Sequence, residues 1–359
     1  QFETRAGELE RARAIYQNAL RLYSESQANK AVLTKLLDSY SLFEKQHGDR
    51  DSAEELLASR KRHEYEEILS REPFNYDKWM DLIRLETDRL AEWKRLHGMT
   101  TENENGLVQN GSANRANSEI VKQYEQMVDA IRSCYERAVS HTPNSMAKQD
   151  WKRYIYLWIN HAVWEELEMK DLDRAAQVYK SVLKIIPHKR FTFTKLWIQA
   201  AQLEIRRLDL AQARRMLGQA MGHCPRKPKV YRTYIRIETE LGEEDRVRKI
   251  YRKWIENMPY YSLAWIEFAQ MEASLQEDER CKSIFEIAIS EPNMDIPELC
   301  WKAYIDYEWE NGDLQAARHI YKRLVESLAP WNVNAYISWA SFEMEAGDPA
   351  SPLQLSERV

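Results

Sequence analysis

Residues 230–259 read VYRTYIRIETELGEEDRVRKIYRKWIENMP, and they decide the fold. Tyr231, Tyr234, Ile235, Ile237 and Glu238 recur at helical spacing with the apolar members on one side. They predict a first helix near 229–242. The run Leu241-Gly242-Glu243-Glu244-Asp245 predicts a tight turn, with Gly242 supplying the positive φ that ends a helix. Val247, Ile250, Tyr251, Trp254 and Ile255 predict a second helix near 245–258, which Pro259 stops. Two helices on so short a loop make an antiparallel hairpin. A lone hairpin cannot bury both faces, so another must stack on it.

The rest of the chain supplies the others. An aromatic ring followed seven residues later by glutamate recurs as Trp79/Glu86, Trp158/Glu165, Trp197/Glu204, Tyr231/Glu238, Trp265/Glu272, Trp301/Glu308 and Tyr336/Glu343. Leu37/Glu44 fits with a weaker first member. The last five rings are 34, 34, 36 and 35 residues apart, a stacked-repeat period. The second helices share a signature too. Tyr251, Phe285 and Tyr321 each stand 20 residues after the ring, and Arg248, Lys282 and Arg318 one helical turn earlier. Tyr16 and Arg13 bear the same relation to Glu3. Pro187, Pro225, Pro259, Pro292 and Pro330 close the repeats. The ring is expected to fill the gap between its two helices and the preceding repeat. The glutamate and the basic residue ten positions later are expected to meet across one hairpin, fixing register.

Composition agrees with helices throughout. Ten Gly and 11 Pro are few for 359 residues, so turns are short, while 12 Trp and 19 Tyr suit interlocked helix pairs. A net charge of −5 argues against a dominantly basic nucleic-acid binder but leaves room for local basic patches. Cys134, Cys224, Cys281 and Cys300 form no CxxC, which argues against a disulfide framework or zinc site and for an intracellular compartment. No apolar run reaches the ~18 residues of a membrane span.

Two departures from the period stand out. The step from Trp79 to Trp158 is 79 residues, and polar residues 98–118 within it read as a disordered loop inserted in the repeat of residues 79–143. The step from Leu37 to Trp79 is also long, because 52–70 reads as one extended second helix. The chain begins at Gln1. Phe2-Glu3 matches the end of a first helix, and no full second helix follows Tyr336. The reading is one array over residues 1–359, cut at both ends.

No phosphate-loop, dinucleotide, zinc-protease or nucleophile-elbow motif occurs, and His63-Glu64 lacks the second histidine of a metal pair. No catalytic, cofactor or metal residue is assigned. The rings and glutamates recur once per repeat, which makes them core instead of a base-stacking platform or acid catalysts. Four basic clusters carry more weight: Arg60-Lys61-Arg62-His63, Lys152-Arg153-Tyr154, His188-Lys189-Arg190-Phe191 and Arg226-Lys227-Pro228-Lys229. Acidic neighbours make the first a solvated helix face. Lys152, Arg153, Lys189, Arg190, Arg226 and Lys227 stay open between solvated surface and contact with RNA phosphates or an acidic partner.

The aromatic, glutamate and basic-then-aromatic register departs from the Trp, Leu-Gly, Tyr pattern of tetratricopeptide (TPR) repeats. It is the pattern of half-a-TPR (HAT) repeats, which the chain resembles throughout. The segments FEKQHGDR (43–50), EPFNYDKW (72–79), WKRYIYLWINHAVWEELE (151–168), IPHKRFTFTKLW (186–197) and DIPELCWKAYIDYE (295–308) resemble the crooked-neck family of splicing factors, in matching order. The resemblance implies an all-α fold, an α-solenoid or superhelical arch of HAT/TPR-like antiparallel hairpins. It implies a non-enzymatic nuclear scaffold of the spliceosome, in the NineTeen-associated assembly, without cofactor, small-molecule substrate or membrane. Implied partners are a Myb-domain splicing factor and a second HAT-repeat arch protein, with peripheral snRNA or pre-mRNA contact. Two alternatives remain: a HAT-repeat scaffold of pre-mRNA 3′-end cleavage and polyadenylation, and a helical-repeat enzyme subunit such as that of a protein prenyltransferase.

Overall fold

The computed structural model describes residues 8–25, 30–47, 50–97, 115–145, 147–328 and 333–346. The chain-end readings at Gln1, Phe2 and Glu3 and beyond residue 346, the closing Pro330, and residues 98–114 of the expected loop lie outside them. Where the sequence reads as one array, the fold divides into two compact halves, residues 1–186 and 187–359.

The first half holds α1 (Leu9–Glu25), α2 (Lys30–His47), α3 (Arg50–Arg71), α4 (Tyr76–Leu96), α5 (Arg115–Ser140), α6 (Lys148–Leu167) and α7 (Leu172–Ile185). The second holds α8 (Thr194–Arg206), α9 (Leu210–His223), α10 (Pro228–Glu240), α11 (Glu244–Asn257), α12 (Ser262–Ser274), α13 (Asp278–Ser290), α14 (Pro297–Glu310), α15 (Leu314–Arg323) and α16 (Val333–Glu345). The last turn of α15 widens into a π-helix, Leu324–Leu328. The fold is an all-α helical-repeat solenoid, with no strand among the described residues. Antiparallel partners such as α8/α9 and α12/α13 pack along their length, and first helices also meet the next first helix, as α12 meets α14.

The expected loop 98–118 needs correcting at its end. Residues 115–118 form the first turn of α5, because polar residues poor in a helix interior are well placed at its start. The extended second helix expected over 52–70 is α3, Arg50–Arg71.

One turn repeats between first and second helices of the second half. In residues 238–243, the Gly242 N–H donates to the Thr239 carbonyl and the Glu243 N–H to the Glu238 carbonyl, at 3.0 and 2.9 Å. These two bonds satisfy carbonyls orphaned at the helix end. The same pair closes the turns at Leu208, Gln276 and Gly312. The residue at that position is left-handed in all four, with φ of 64°, 72°, 60° and 80° in chain order. Glycine adopts this conformation freely, whereas Leu208 and Gln276 are strained in it. Asp209 and Asp313 then cap the second helices, their Oδ1 accepting from the N–H of Gln212 and Ala316.

Candidate functional site

The recurring glutamates are the most buried charges among the described residues. Glu44, Glu86, Glu165, Glu204, Glu238, Glu272, Glu308 and Glu343 are each no more than 5 % exposed. A carboxylate so buried needs a cation and hydrogen bonds. The structure supplies them from a helix that the sequence reading did not choose. Arg248 does not reach Glu238 of its own hairpin; its Nε and Nη2 donate to Glu272 of the next one, at 2.9 and 3.0 Å. Arg214 donates twice to Glu238, both at 2.8 Å. Arg318 grips Glu343 and Lys282 reaches Glu308, each at 2.9 Å. The first half repeats the arrangement with Arg13 on Glu44, Arg62 on Glu86 and Arg132 on Glu165. The expectation of a pair within one hairpin is therefore corrected. Sequence separation could not tell the two apart, because the second helix lies between two first helices and touches both.

A ring stack accompanies five of the seven locks. The aromatic one turn after the basic residue lies flat on a ring of the next repeat's first helix, three residues past its lead position. Tyr251 stacks on Phe268 at 5.0 Å, Phe285 on Tyr304 at 5.0 Å and Tyr321 on Trp339 at 6.0 Å. Tyr16 on Tyr40 and Tyr135 on His161, at 4.9 and 4.4 Å, do the same in the first half. The reading missed this second partner, and it missed Arg62, Arg132 and Arg214. The signal was present. Each glutamate from Glu238 onward has a basic residue 24 to 26 positions before it.

Lead rings also clamp the turn before them. The indole N–H of Trp79 donates to the Pro73 carbonyl at 2.9 Å, and that of Trp265 to Pro259 at 2.8 Å. The Tyr231 hydroxyl donates to Pro225 at 3.0 Å. In α6 this role passes from Trp158 to Trp151, which donates to Ser145 at 2.8 Å, because α6 begins two turns earlier relative to its glutamate. Trp197 instead uses the Thr192 hydroxyl. Trp301 is buried. Tyr336 is half-buried, while Trp339, one turn on, is buried against Tyr321.

Glu204 is the exception in the lock. The position 17 residues after Trp158 is Ala175, and Arg207, at the C-terminal cap of Glu204's own helix, donates to its carboxylate. At Glu165, burial pushes the carboxyl upward, but hydrogen bonds from His161 and Arg132 outweigh it and hold it at about 2.

These groups do not assemble a reaction centre. The glutamates are consumed in the locks, and no group of three or more His, Cys, Asp or Glu among the described residues could hold a metal. All four cysteines are buried and free. Burial raises the Cys281 thiol to about 11 and the Cys300 thiol to about 12, so neither is a nucleophile at neutral pH. A groove of about 730 Å³ in the first half runs between α4 and α6 over Ile83, Leu90, Leu157, Trp164 and Leu167. It is apolar at its floor and holds mixed charges at its rim.

The six basic candidates are all exposed. Lys152 and Arg153 lie on α6 in the first half, where Arg153 faces Asp77 at 3.5 Å. Lys189 and Arg190 lie in the turn before α8, and Arg226 and Lys227 in the turn before α10. These two turns are neighbours: the His188 ring stacks on His223 at 4.6 Å, and the Thr194 hydroxyl approaches the Cys224 sulfur at 3.5 Å. The cluster at Arg60-Lys61-Arg62-His63 is only partly a solvated face, because Arg62 belongs to a lock.

Residues 191–344 match the family model described as "PRP39 N-terminal HAT repeat". The chain is 42 % identical over 343 residues to "Pre-mRNA-splicing factor clf1" of Aspergillus fumigatus, covering 96 % of this chain and 44 % of that protein. It is 40 % identical over 324 residues to human "Crooked neck-like protein 1", covering 90 % and 34 % of the two chains. It is 37 % identical over 343 residues to "Pre-mRNA-splicing factor cwf4" of Schizosaccharomyces pombe, covering 96 % and 44 %. The chain thus spans less than half the length of these relatives.

Proposed function

Because this chain belongs to the crooked-neck family of pre-mRNA-splicing factors, we propose that it is a non-enzymatic, nuclear scaffold segment of the spliceosome. It holds several splicing proteins together during pre-mRNA splicing. The observation that carries this reading is the use made of the charged and aromatic groups. Lock, stack and clamp residues are spent on joining one hairpin to the next, while the outward positions differ from repeat to repeat. Exposed apolar side chains such as Leu167, Ile287 and Met344 recur along those outward positions. A repeat array built in this way offers an extended surface on which each repeat can contact a different protein.

The finer assignment is to the NineTeen-associated assembly, with a Myb-domain splicing factor and a second HAT-repeat protein as neighbours. The relatives' names favour splicing over 3′-end cleavage and polyadenylation. The test is affinity purification of the full-length protein, with mass spectrometry of partners and sequencing of bound RNA. Recovery of splicing proteins with spliceosomal snRNAs is expected. Recovery of the polyadenylation machinery in their place would sink the assignment.

A further inference from the structure

The second half carries a charge imbalance that the net charge conceals. Between residues 187 and 237 stand twelve Lys or Arg and two acids, Glu204 and Asp209, in a chain whose net charge is −5. Neither acid can neutralise the surface. Glu204 is fully buried, and Asp209 caps α9. Elsewhere, exposed cations find acids one helical turn away, as Arg246 finds Glu243 and Lys253 finds Glu256. Here Lys189, Arg190, Arg226, Lys227 and Lys229 are all exposed, and none has an ion-pair partner among the described residues. They share two neighbouring turns. On α10, Lys229, Arg232, Thr233 and Arg236 line a shallow depression of about 360 Å³, in which Lys229 is unpaired while Arg232 pairs with Glu267 and Arg236 faces Glu240. One turn of helix separates Lys229 from Arg232 and Arg232 from Arg236.

Concentrated, unneutralised positive charge is costly through self-repulsion and is relieved by a polyanion. Rings are interleaved with it. His223 is exposed beside Arg226, with its ring stacked on both His188 and Trp197, at 4.6 and 5.5 Å. Phe191 follows Arg190 in the same turn, half-buried against Phe193. Cations that track a phosphate backbone, beside a ring on which a base can stack, are the elements of a single-strand site. We propose that the adjoining turns 187–193 and 224–229, with the outer face of α10, form a binding surface for single-stranded RNA. It grips the phosphates through Lys189, Arg190, Arg226, Lys227 and Lys229. An acidic protein segment would satisfy the charges but would make no use of the rings interleaved with them. The surface is independent of the protein contacts assigned above, so its failure would leave the scaffold reading untouched.

The test is fluorescence anisotropy of a labelled oligouridine titrated with the chain between about 50 and 200 mM salt. Five phosphate contacts predict a log–log salt slope of about −3.5, from roughly −0.7 per contact. The variant R226A/K227A is expected to weaken binding at low salt about tenfold and to make the slope shallower by about 1.4. R246A, which removes an exposed but paired cation, should change affinity by less than about twofold. Circular dichroism of each variant checks that the helices persist. Three outcomes would overturn the proposal: no salt-dependent binding, equal binding by R226A/K227A and the parent chain, or full competition by polyglutamate of matched charge.

Discussion

Glu308 is the least well-held of the lock carboxylates. Lys282 Nζ reaches only its Oε2, at 2.9 Å, and Oε1 is buried without a hydrogen-bond partner. Arginine fills this position in the locks at Glu238 and Glu272 and donates through two nitrogens. Lys282→Arg should therefore satisfy the orphaned oxygen and stabilise the protein by about 1 kcal/mol, read as a raised melting temperature. The opposite change, Arg248→Ala, leaves Glu272 buried and uncompensated and should cost about 3 to 5 kcal/mol. At Glu165 the sign with pH follows from the lowered carboxyl, about 2 against an ordinary 4.5. Its stabilisation is complete above about pH 4.5 and is lost as pH falls toward 2, a loss of about 3 kcal/mol. Acid titration of Glu165→Gln should show that part of the transition missing; an acid limb identical to the parent's would show that the carboxylate carries none of it. Both members of the lock were legible as residue types. Their pairing was not, because a period fixes how far apart residues stand and not which side of a helix faces the next repeat.

At the scale of elements, the hairpin turns were legible where glycine marks them and hidden where it does not. Gly242 announces the left-handed residue of its turn, while Leu208 and Gln276 adopt the same conformation with nothing in their chemistry to signal it. Leu208 is also 89 % exposed, so its side chain contributes little packing to offset the strain. Leu208→Gly should remove a left-handed penalty of about 1 kcal/mol and lose part of it to unfolded-chain entropy, for a net gain of a few tenths. Lys170 of the first half is left-handed too, at φ 55°, and Lys170→Gly and Gln276→Gly should move melting in the same direction. A drop in melting temperature for all three would mean that the turns are not strained. Helix limits followed the apolar spacing closely for α10 and α11. They failed at the start of α5, where composition suggested a loop and the same polar residues open a helix.

At the scale of the whole chain, the helical repeat was the most legible feature and the division into two halves the least. The residue that marks the irregularity is an absence: Ala175 stands where the register calls for a cation. Within each half, hairpins joined in series should fail locally. Trp265→Ala removes a large buried ring and its bond to Pro259, a loss of about 3 to 5 kcal/mol. Hydrogen exchange should then rise first over residues 229–330, and uniform loss across both halves would contradict serial joining. The central claim is that each cation locks its hairpin to the next and not to itself. A pair of double-mutant cycles in the same protein, read by native-state hydrogen exchange of α10 to α13, tests it most directly. The account predicts a coupling of about 2 to 3 kcal/mol between Arg248 and Glu272, and one within about 0.5 kcal/mol of zero between Arg248 and Glu238. Strong coupling to Glu238 with none to Glu272 would contradict it.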